Sequence, residues 1–400
     1  MELSRKEILL HLGLFILTFI TTTLAGTSWV YSKFLIYIEK IVLGFIPITA
    51  INHDFTWQDF VNGMPYSIPF MLILTVHEFG HYFTARYYKV RTTLPYYIPL
   101  PPLPFMLGTL GAVIRLKSPV HSKKQNFDIG IAGPLAGFVI ALGVLWYGFA
   151  TLPPPEYIFQ FHPEYEKFGL NYAQSVYGEG LPANTIDLIT GKNLLFLFFE
   201  KFVADPARVP NVHELIHYPF LFAGFLSLVF TSINLLPIGQ LDGGHVLYGL
   251  MGFDGHRKIA SAIFILFLFY SGLGVVVPGQ PLSFIFDIPF PFTIPFFIGF
   301  LYLCLTGLRW KWQNQLMTAV ILFAAQYFIV MLFPKVHGYS GWLLFAFIIG
   351  RFVGVMHPRS EIEEPLTMNR KILGWFALFV FVISFTPAPI ELILSTAPSP

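Results

Sequence analysis

Long apolar segments recur along this chain and alternate with short polar or charged stretches. The clearest are residues 7–26, 66–88, 129–151, 217–238, 259–277, 293–308, 316–333, 340–356 and 372–387. A helix that crosses a bilayer needs about 20 predominantly apolar residues. Several of the segments are short or interrupted by Pro and Gly. The pattern therefore predicts an all-α polytopic membrane protein with about eight or nine transmembrane helices.

The composition agrees with this class and excludes others. Of the 400 residues, 55% are hydrophobic and 12% are charged, whereas soluble domains carry about 25% charged residues. The net charge is +2 and no basic cluster stands out, so we expect the lipid bilayer as a partner and no nucleic acid. The first apolar segment lacks a small-residue cleavage site and is expected to be a retained span.

The basic residues predict the orientation of the chain. If the N-terminus is cytoplasmic and the spans alternate, 17 of the 24 Lys and Arg residues fall on the cytoplasmic side. The other seven are Lys33, Lys40, Lys167, Lys192, Lys201, Arg208 and Lys335. Loops on the cytoplasmic side are enriched in Lys and Arg, so this orientation is favoured.

Residues 92–116, TTLPYYIPLPPLPFMLGTLGAVIRL, are apolar but too rich in proline for a continuous helix. Irregular backbone is tolerated at membrane depth only where protein or a water-filled cavity satisfies it. We therefore expect a small membrane-associated β-hairpin that enters and leaves on the cytoplasmic side. Residues 152–216 form the one sizeable polar segment and are expected to be an outer surface loop without catalytic chemistry.

His77, Glu78 and His81 lie within the predicted span 66–88, in the sequence HEFGH. On a helix, residues i and i+4 share a face, so both imidazoles can reach one metal ion, and the glutamate beside them can act as a general base. Ionisable residues inside a span are expensive and indicate function. The alternative is a structural polar cluster between helices. The only cysteine is Cys304, which excludes an intramolecular disulfide and a cysteine-based zinc site.

A two-histidine zinc site needs a third protein ligand. Asp242 ends the apolar stretch FLFAGFLSLVFTSINLLPIGQLDGGH, which we interpret as one continuous helix with the aspartate near its cytoplasmic end. His77 and His81 then lie at a similar depth, roughly 10 Å below the inner surface. Asp-Gly-Gly alone also indicates an ordinary helix-ending turn. His245 and His121 are rival ligands.

Two ordered motifs, HEFGH at 77–81 and NLLPIGQLDGG at 234–244, resemble those of the site-2 protease family of intramembrane zinc metalloproteases. The stretches GTLGAVIRLKSP at 108–119 and FDIGIAGPLAGF at 127–138 resemble the connecting hairpin and third core helix of that family. The resemblance covers roughly residues 60–250. PDZ or CBS patterns, which many relatives carry, are not recognisable.

The resemblance implies one Zn²⁺ per chain, bound by His77, His81 and Asp242, with Glu78 as the catalytic base. Asn234 matches the asparagine at the start of the second motif. It is a candidate for binding the substrate backbone or an oxyanion, and an interhelical hydrogen bond is the alternative.

The expected reaction is hydrolysis of peptide bonds within or near transmembrane segments of membrane proteins, for regulated intramembrane proteolysis. A transmembrane helix hides its carbonyls in internal hydrogen bonds, so the substrate must be unwound first. The hairpin, with Gly108, Thr109 and Gly111, could offer a strand edge to an extended substrate. The alternative is an ordinary hairpin that covers the site.

The sequence divides into three parts. Residues 1–60 hold the first span and an outer connection, residues 61–258 the catalytic core with loop 152–216 inserted, and residues 259–400 additional spans. We expect a multi-pass protein of a bacterial inner membrane with its active site near the cytoplasmic face. A membrane metal transporter and a catalytically inactive substrate-binding homologue are the alternative functions.

Overall fold

The computed structural model describes residues 4–42, 46–178, 186–280, 282–283 and 287–394. Residues 179–185 of the predicted outer loop are outside the described part. The helices are α1 (Arg5–Tyr31), α2 (Trp57–Asn62), α3 (Met64–Tyr87), α4 (Lys123–Ala150), α5 (Leu194–Phe202), α6 (Pro219–Asn234), α7 (Asp242–Gly272), α8 (Thr293–Leu305), α9 (Trp312–Leu332), α10 (Trp342–Ile348) and α11 (Met368–Ser384). The strands are β1 (Ile36–Val42), β2 (Ile46–Ile51), β3 (Tyr96–Pro99), β4 (Thr109–Val113), β5 (Ile186–Thr190), β6 (Leu282–Ser283), β7 (Asp287–Ile288) and β8 (Ile390–Leu394).

The structure is mostly helical, as the apolar pattern predicts. Among the described helices, α1, α4 and α9 are long and apolar enough to cross a membrane. Shorter apolar helices occupy residues 219–234, 293–308 and 342–353. The total of eight or nine spans stays a prediction.

The centre of the fold is the packing of α3, α4, α6 and α7 around one apolar core. Helices α3 and α4 approach closely because Gly80 on α3 faces the backbone of α4. A Cβ atom on Gly80 would lie 2.6 Å from the carbonyl oxygen of Ala132. The absence of a side chain at Gly80 therefore lets the HEFGH turn pack directly against α4.

Strands β3 and β4 form the predicted hairpin, with antiparallel pairing that places Tyr97 opposite Ala112. The hairpin lies along α1. Near its base, the imidazole Nδ1 of His11 lies 2.9 Å from the carbonyl oxygen of Pro95. Near its tip, the indole N–H of Trp29 donates to the carbonyl of Met106 over 3.0 Å. These two contacts are 18 residues apart on α1, so the hairpin follows the helix for roughly 27 Å.

The prediction of one continuous helix up to Asp242 is wrong. Helix α6 ends at Asn234, and Asp242 is the first residue of α7. Pro237 lacks the N–H needed to continue a helix, and Gly239 has a φ of +59°. A Cβ atom on Gly243 would lie 1.9 Å from the carbonyl oxygen of Leu235. The two glycines thus let the connection turn back tightly on the start of α7.

Helix α11 of the C-terminal part packs against α4, α6 and α7. The guanidinium of Arg370 on α11 donates to the carboxylate of Asp128 on α4, with two nitrogens at 2.8 Å. Strand β8 pairs with β5. Helix α7 continues through residue 258, and its non-helical residue is Gly252. The boundary at 258 stays a prediction.

Candidate metal centre

His77 and His81 lie one turn apart on α3, and both side chains are buried. Their Nε2 atoms are 3.1 Å apart. The Nδ1 of His81 lies 2.7 Å from the carbonyl oxygen of Ile129 on α4. A carbonyl can only accept, so this Nδ1 carries the proton and the neutral ring leaves its Nε2 lone pair free.

Asp242 completes the group from the first turn of α7. Its Oδ2 lies 3.5 Å from Nε2 of His77 and 3.3 Å from Nε2 of His81. The three potential ligand atoms all lie within 4.8 Å of one another. The structure therefore brings together the three residues that the sequence predicts as metal ligands, although Asp242 starts a helix rather than ending one.

The donor set fits a zinc ion. The side-chain amide nitrogen of Asn234 lies 3.4 Å from Nε2 of His77. This amide nitrogen can only donate, so Nε2 of His77 is an acceptor like that of His81. Two acceptor nitrogens at 3.1 Å, facing a carboxylate, repel each other unless a metal ion or a shared proton lies between them. Two imidazoles and one carboxylate are a ligand set of zinc sites that keep a position for water or substrate.

Glu78 is buried, and its carboxylate lies 4.0 Å from Nε2 of His77. Both residues line a cavity of about 160 Å³. Residues 110–113 of β4 form another wall of it, and Ser227, Thr231 and Asn234 of α6 contribute polar groups. One cavity is therefore lined by the predicted base Glu78, the candidate substrate-binding amide of Asn234 and strand β4. Ser227 and Thr231 lack any sequence signal beyond their place one or two turns before Asn234.

Of the hairpin residues predicted to offer a strand edge to the substrate, only some line this cavity. Gly111 lines it and has a φ of +105°, which favours glycine. Gly108 instead faces α1, where its carbonyl accepts from the hydroxyl of Thr21 over 2.7 Å. Thr109 is buried, and its hydroxyl donates to the carbonyl of Ile98. Of the three residues proposed from the sequence, Gly111 alone contributes to the wall.

The rival ligands His245 and His121 are not part of the group formed by His77, His81 and Asp242. Nδ1 of His245 lies 2.8 Å from Nε2 of His357. His121 is exposed and bonds Glu361 over 2.8 Å. A larger cavity of about 770 Å³ is lined by Arg257, Arg309 and other residues, and none of the His77 group is among them.

Comparison with known proteins gives the family. The profile of peptidase family M50 matches residues 65–277, which is more than half of the chain. The chain therefore belongs to peptidase family M50, the site-2 protease family of zinc metallopeptidases. The resemblance drawn from the two motifs is confirmed.

Several plant proteins are similar over about half of the chain. The probable zinc metalloprotease EGY1, chloroplastic, of Oryza sativa subsp. japonica is 30% identical over 227 residues, covering 56% of this chain and 33% of that protein. EGY1 of Arabidopsis thaliana is 27% identical over 221 residues, 55% of this chain and 34% of that protein. The chain thus spans about a third of the length of these relatives. No solved structure matches it.

The family and the apolar helices indicate a membrane protein. These relatives are named as chloroplastic, so the predicted bacterial inner membrane is not supported.

Proposed function

We propose that this chain is an intramembrane zinc metalloprotease that hydrolyses peptide bonds within or near transmembrane segments of other membrane proteins, in regulated intramembrane proteolysis. One observation supports this most. The group formed by His77, His81 and Asp242 lies beside the buried carboxylate of Glu78, which faces a cavity walled by a β-strand.

His77, His81 and Asp242 would hold the zinc ion. When bound, zinc supplies Lewis acidity that polarises a carbonyl and activates water. Glu78 would take a proton from the attacking water and then pass it to the leaving amine. The short distance between Glu78 and His77 favours this role.

Asn234 is the candidate for positioning the substrate. It lines the same cavity as Glu78, and its amide lies against His77. A side-chain N–H in this place can donate either to a substrate carbonyl or to the oxygen that gains negative charge during attack.

Strand β4 is the candidate for holding an unwound substrate. Within the described residues, β4 pairs with β3 alone, which leaves one edge without a strand partner. Its residues 110–113 face the cavity that contains Glu78. A peptide segment added to this edge would be extended, with its carbonyls exposed to attack, as in other cases of strand addition.

The test replaces Glu78 by Gln in the full-length chain and measures cleavage of a co-expressed, tagged single-span membrane protein. We expect cleavage to fall about 10²-fold or more, since general-base catalysis contributes about that much, and zinc content to stay unchanged. Glu361→Gln, at an exposed carboxylate, is the matched control and should cleave normally. Undiminished cleavage by the Glu78 variant with its zinc retained would refute the base.

The same experiment separates the alternative functions. A metal transporter or an inactive substrate-binding homologue would leave the tagged protein intact even with the wild-type chain. If the wild-type chain does cleave, the Glu78→Gln variant should retain bound substrate. A pull-down with this variant, followed by mass spectrometry, would then identify the substrate proteins.

A further inference from the structure

A second group of histidine and glutamate side chains lies apart from the His77 group. His162, Glu214 and His217 belong to the predicted outer loop and the turn that precedes α6. Their ligand atoms all lie within 4.8 Å of one another. Nε2 of His162 is 3.2 Å from Nε2 of His217, and each is 3.7 Å from Oε2 of Glu214.

A contact at Nδ1 of each ring determines which ring nitrogen carries the proton. Nδ1 of His217 donates to the carbonyl of Val30, at the end of α1. Nδ1 of His162 lies 3.2 Å from the carboxylate of Glu164. Both partners can only accept, so in the neutral rings each Nε2 carries a lone pair. The two lone pairs point at each other over 3.2 Å, an arrangement that requires a cation or a shared proton between them.

The carboxylate of Glu214 also requires a positive partner. Its side chain is 1% exposed. Oε1 accepts from the hydroxyl of Tyr177, whereas Oε2 has no hydrogen-bond partner among the described residues. Burial of an unpaired carboxylate oxygen is costly. Oε2 faces both imidazole nitrogens, where a metal ion would satisfy it.

Aromatic side chains hold the two imidazoles in place. The ring of Tyr165 stacks on His162 at 4.5 Å and 11°, and Phe161 stacks on His217 at 4.5 Å and 27°. A stacked ring loses little further freedom on binding a metal, so the site is preorganised.

This arrangement repeats that of the first centre, where the corresponding Nε2 atoms are 3.1 Å apart and also face a carboxylate. We propose that His162, Glu214 and His217 bind a second divalent metal ion, and that Zn²⁺ fits this donor set. The chain would then hold two zinc ions rather than the single ion predicted from the sequence.

The second ion would be structural. It would join the segment around His162 to the start of α6, and through His217 to the end of α1. The 16 residues of α6 separate it from the first centre by roughly 24 Å. Buried side chains of α6, such as Phe222, Phe225 and Leu228, fill that distance. These apolar side chains provide no ligands for passing an ion between the centres.

The test measures zinc per chain in the purified full-length protein after loading with excess zinc and removal of the unbound metal. We expect two equivalents in the wild type, one in a His77→Ala/His81→Ala variant and one in His162→Ala. The exposed histidine variant His53→Ala is the control and should keep two. Tyr177→Phe removes the hydrogen bond to Glu214 and should lower affinity at this site about 10- to 100-fold, measured by competition with a chromophoric chelator.

Two results would overturn the proposal. These are a His77→Ala/His81→Ala variant that binds no zinc and a His162→Ala variant that still binds two equivalents. The first result would mean that a shared proton holds the two imidazoles together. A wild type with a single equivalent that the His77→Ala/His81→Ala variant retains would instead contradict the first centre. The His77→Ala/His81→Ala variant leaves the second group untouched, so it decides the question even if His162→Ala does not fold. None of these readouts depends on protease activity.

Discussion

The imidazole of His81 lies against the backbone of α4 at Gly133, which has no side chain. A Cβ atom there would lie 2.1 Å from Nε2 of His81, the atom predicted to bind the metal. We expect Gly133→Ala to push the ring aside and lower zinc affinity at this centre at least about 10-fold, as loss of a ligand's orientation does elsewhere. Chelator competition on the purified variant measures this.

Gly143→Ala is the matched control, since it lies on the same helix and a Cβ there would meet nothing within 4 Å. It should bind zinc like the wild type. Equal affinities of the two variants would show that α4 does not position His81.

At the level of single residues, His77, Glu78 and His81 are predictable because their spacing on one helix decides their geometry. Helix periodicity is local, so the sequence suffices for it. The contact between His81 and Ile129 depends instead on how α3 meets α4. Spacing along one segment cannot supply such a contact.

At the level of elements, α11 is joined to α4 through the ion pair of Arg370 and Asp128. Both side chains are partly buried, at 27% and 16% exposed. We expect Arg370→Gln to lower the free energy of unfolding by about 2 kcal/mol, since it removes charged hydrogen bonds from a carboxylate. The midpoint of thermal unfolding in detergent measures the loss.

The exposed pair of Arg257 and Asp254 provides the comparison, because its side chains are 55% and 70% exposed. Arg257→Gln should cost about 0.3 kcal/mol. If both variants unfold at the same temperature, the Arg370 contact contributes nothing beyond an ordinary surface pair.

The joint between α6 and α7 shows where reasoning from the sequence fails. Asp-Gly-Gly is compatible with the end of one helix and with the start of another. An aspartate in the first turn interacts favourably with the helix dipole, and Pro237 already prevents α6 from continuing. Whether Asp242 ends one helix or starts another depends on the close packing of Gly243 against Leu235. This contact joins the start of α7 to the end of α6 and is not visible in the Asp-Gly-Gly sequence itself. The sequence therefore identifies Asp242 as a candidate ligand but does not identify the helix that carries it.

For the whole molecule, the distribution of basic residues predicts that residues 121 and 167 face opposite sides of the membrane. Cys304 is buried, and a Cys304→Ser background allows one new cysteine at a time. We expect His121→Cys and Lys167→Cys, both at exposed positions, to react with a membrane-impermeant maleimide from opposite sides of sealed vesicles. Reaction of both from the same side would contradict the predicted orientation, and the Cys304→Ser background alone should stay unlabelled.

The late position of Asp242 in the chain has a consequence for biosynthesis. Both imidazoles and Glu78 lie on α3, whereas the carboxylate begins α7. A ribosome completes α3 and α4 long before it reaches residue 242. Until then, the growing polypeptide carries two of the three predicted metal ligands. A peptidase that needs all three of these side chains would be inactive until α7 has been synthesised.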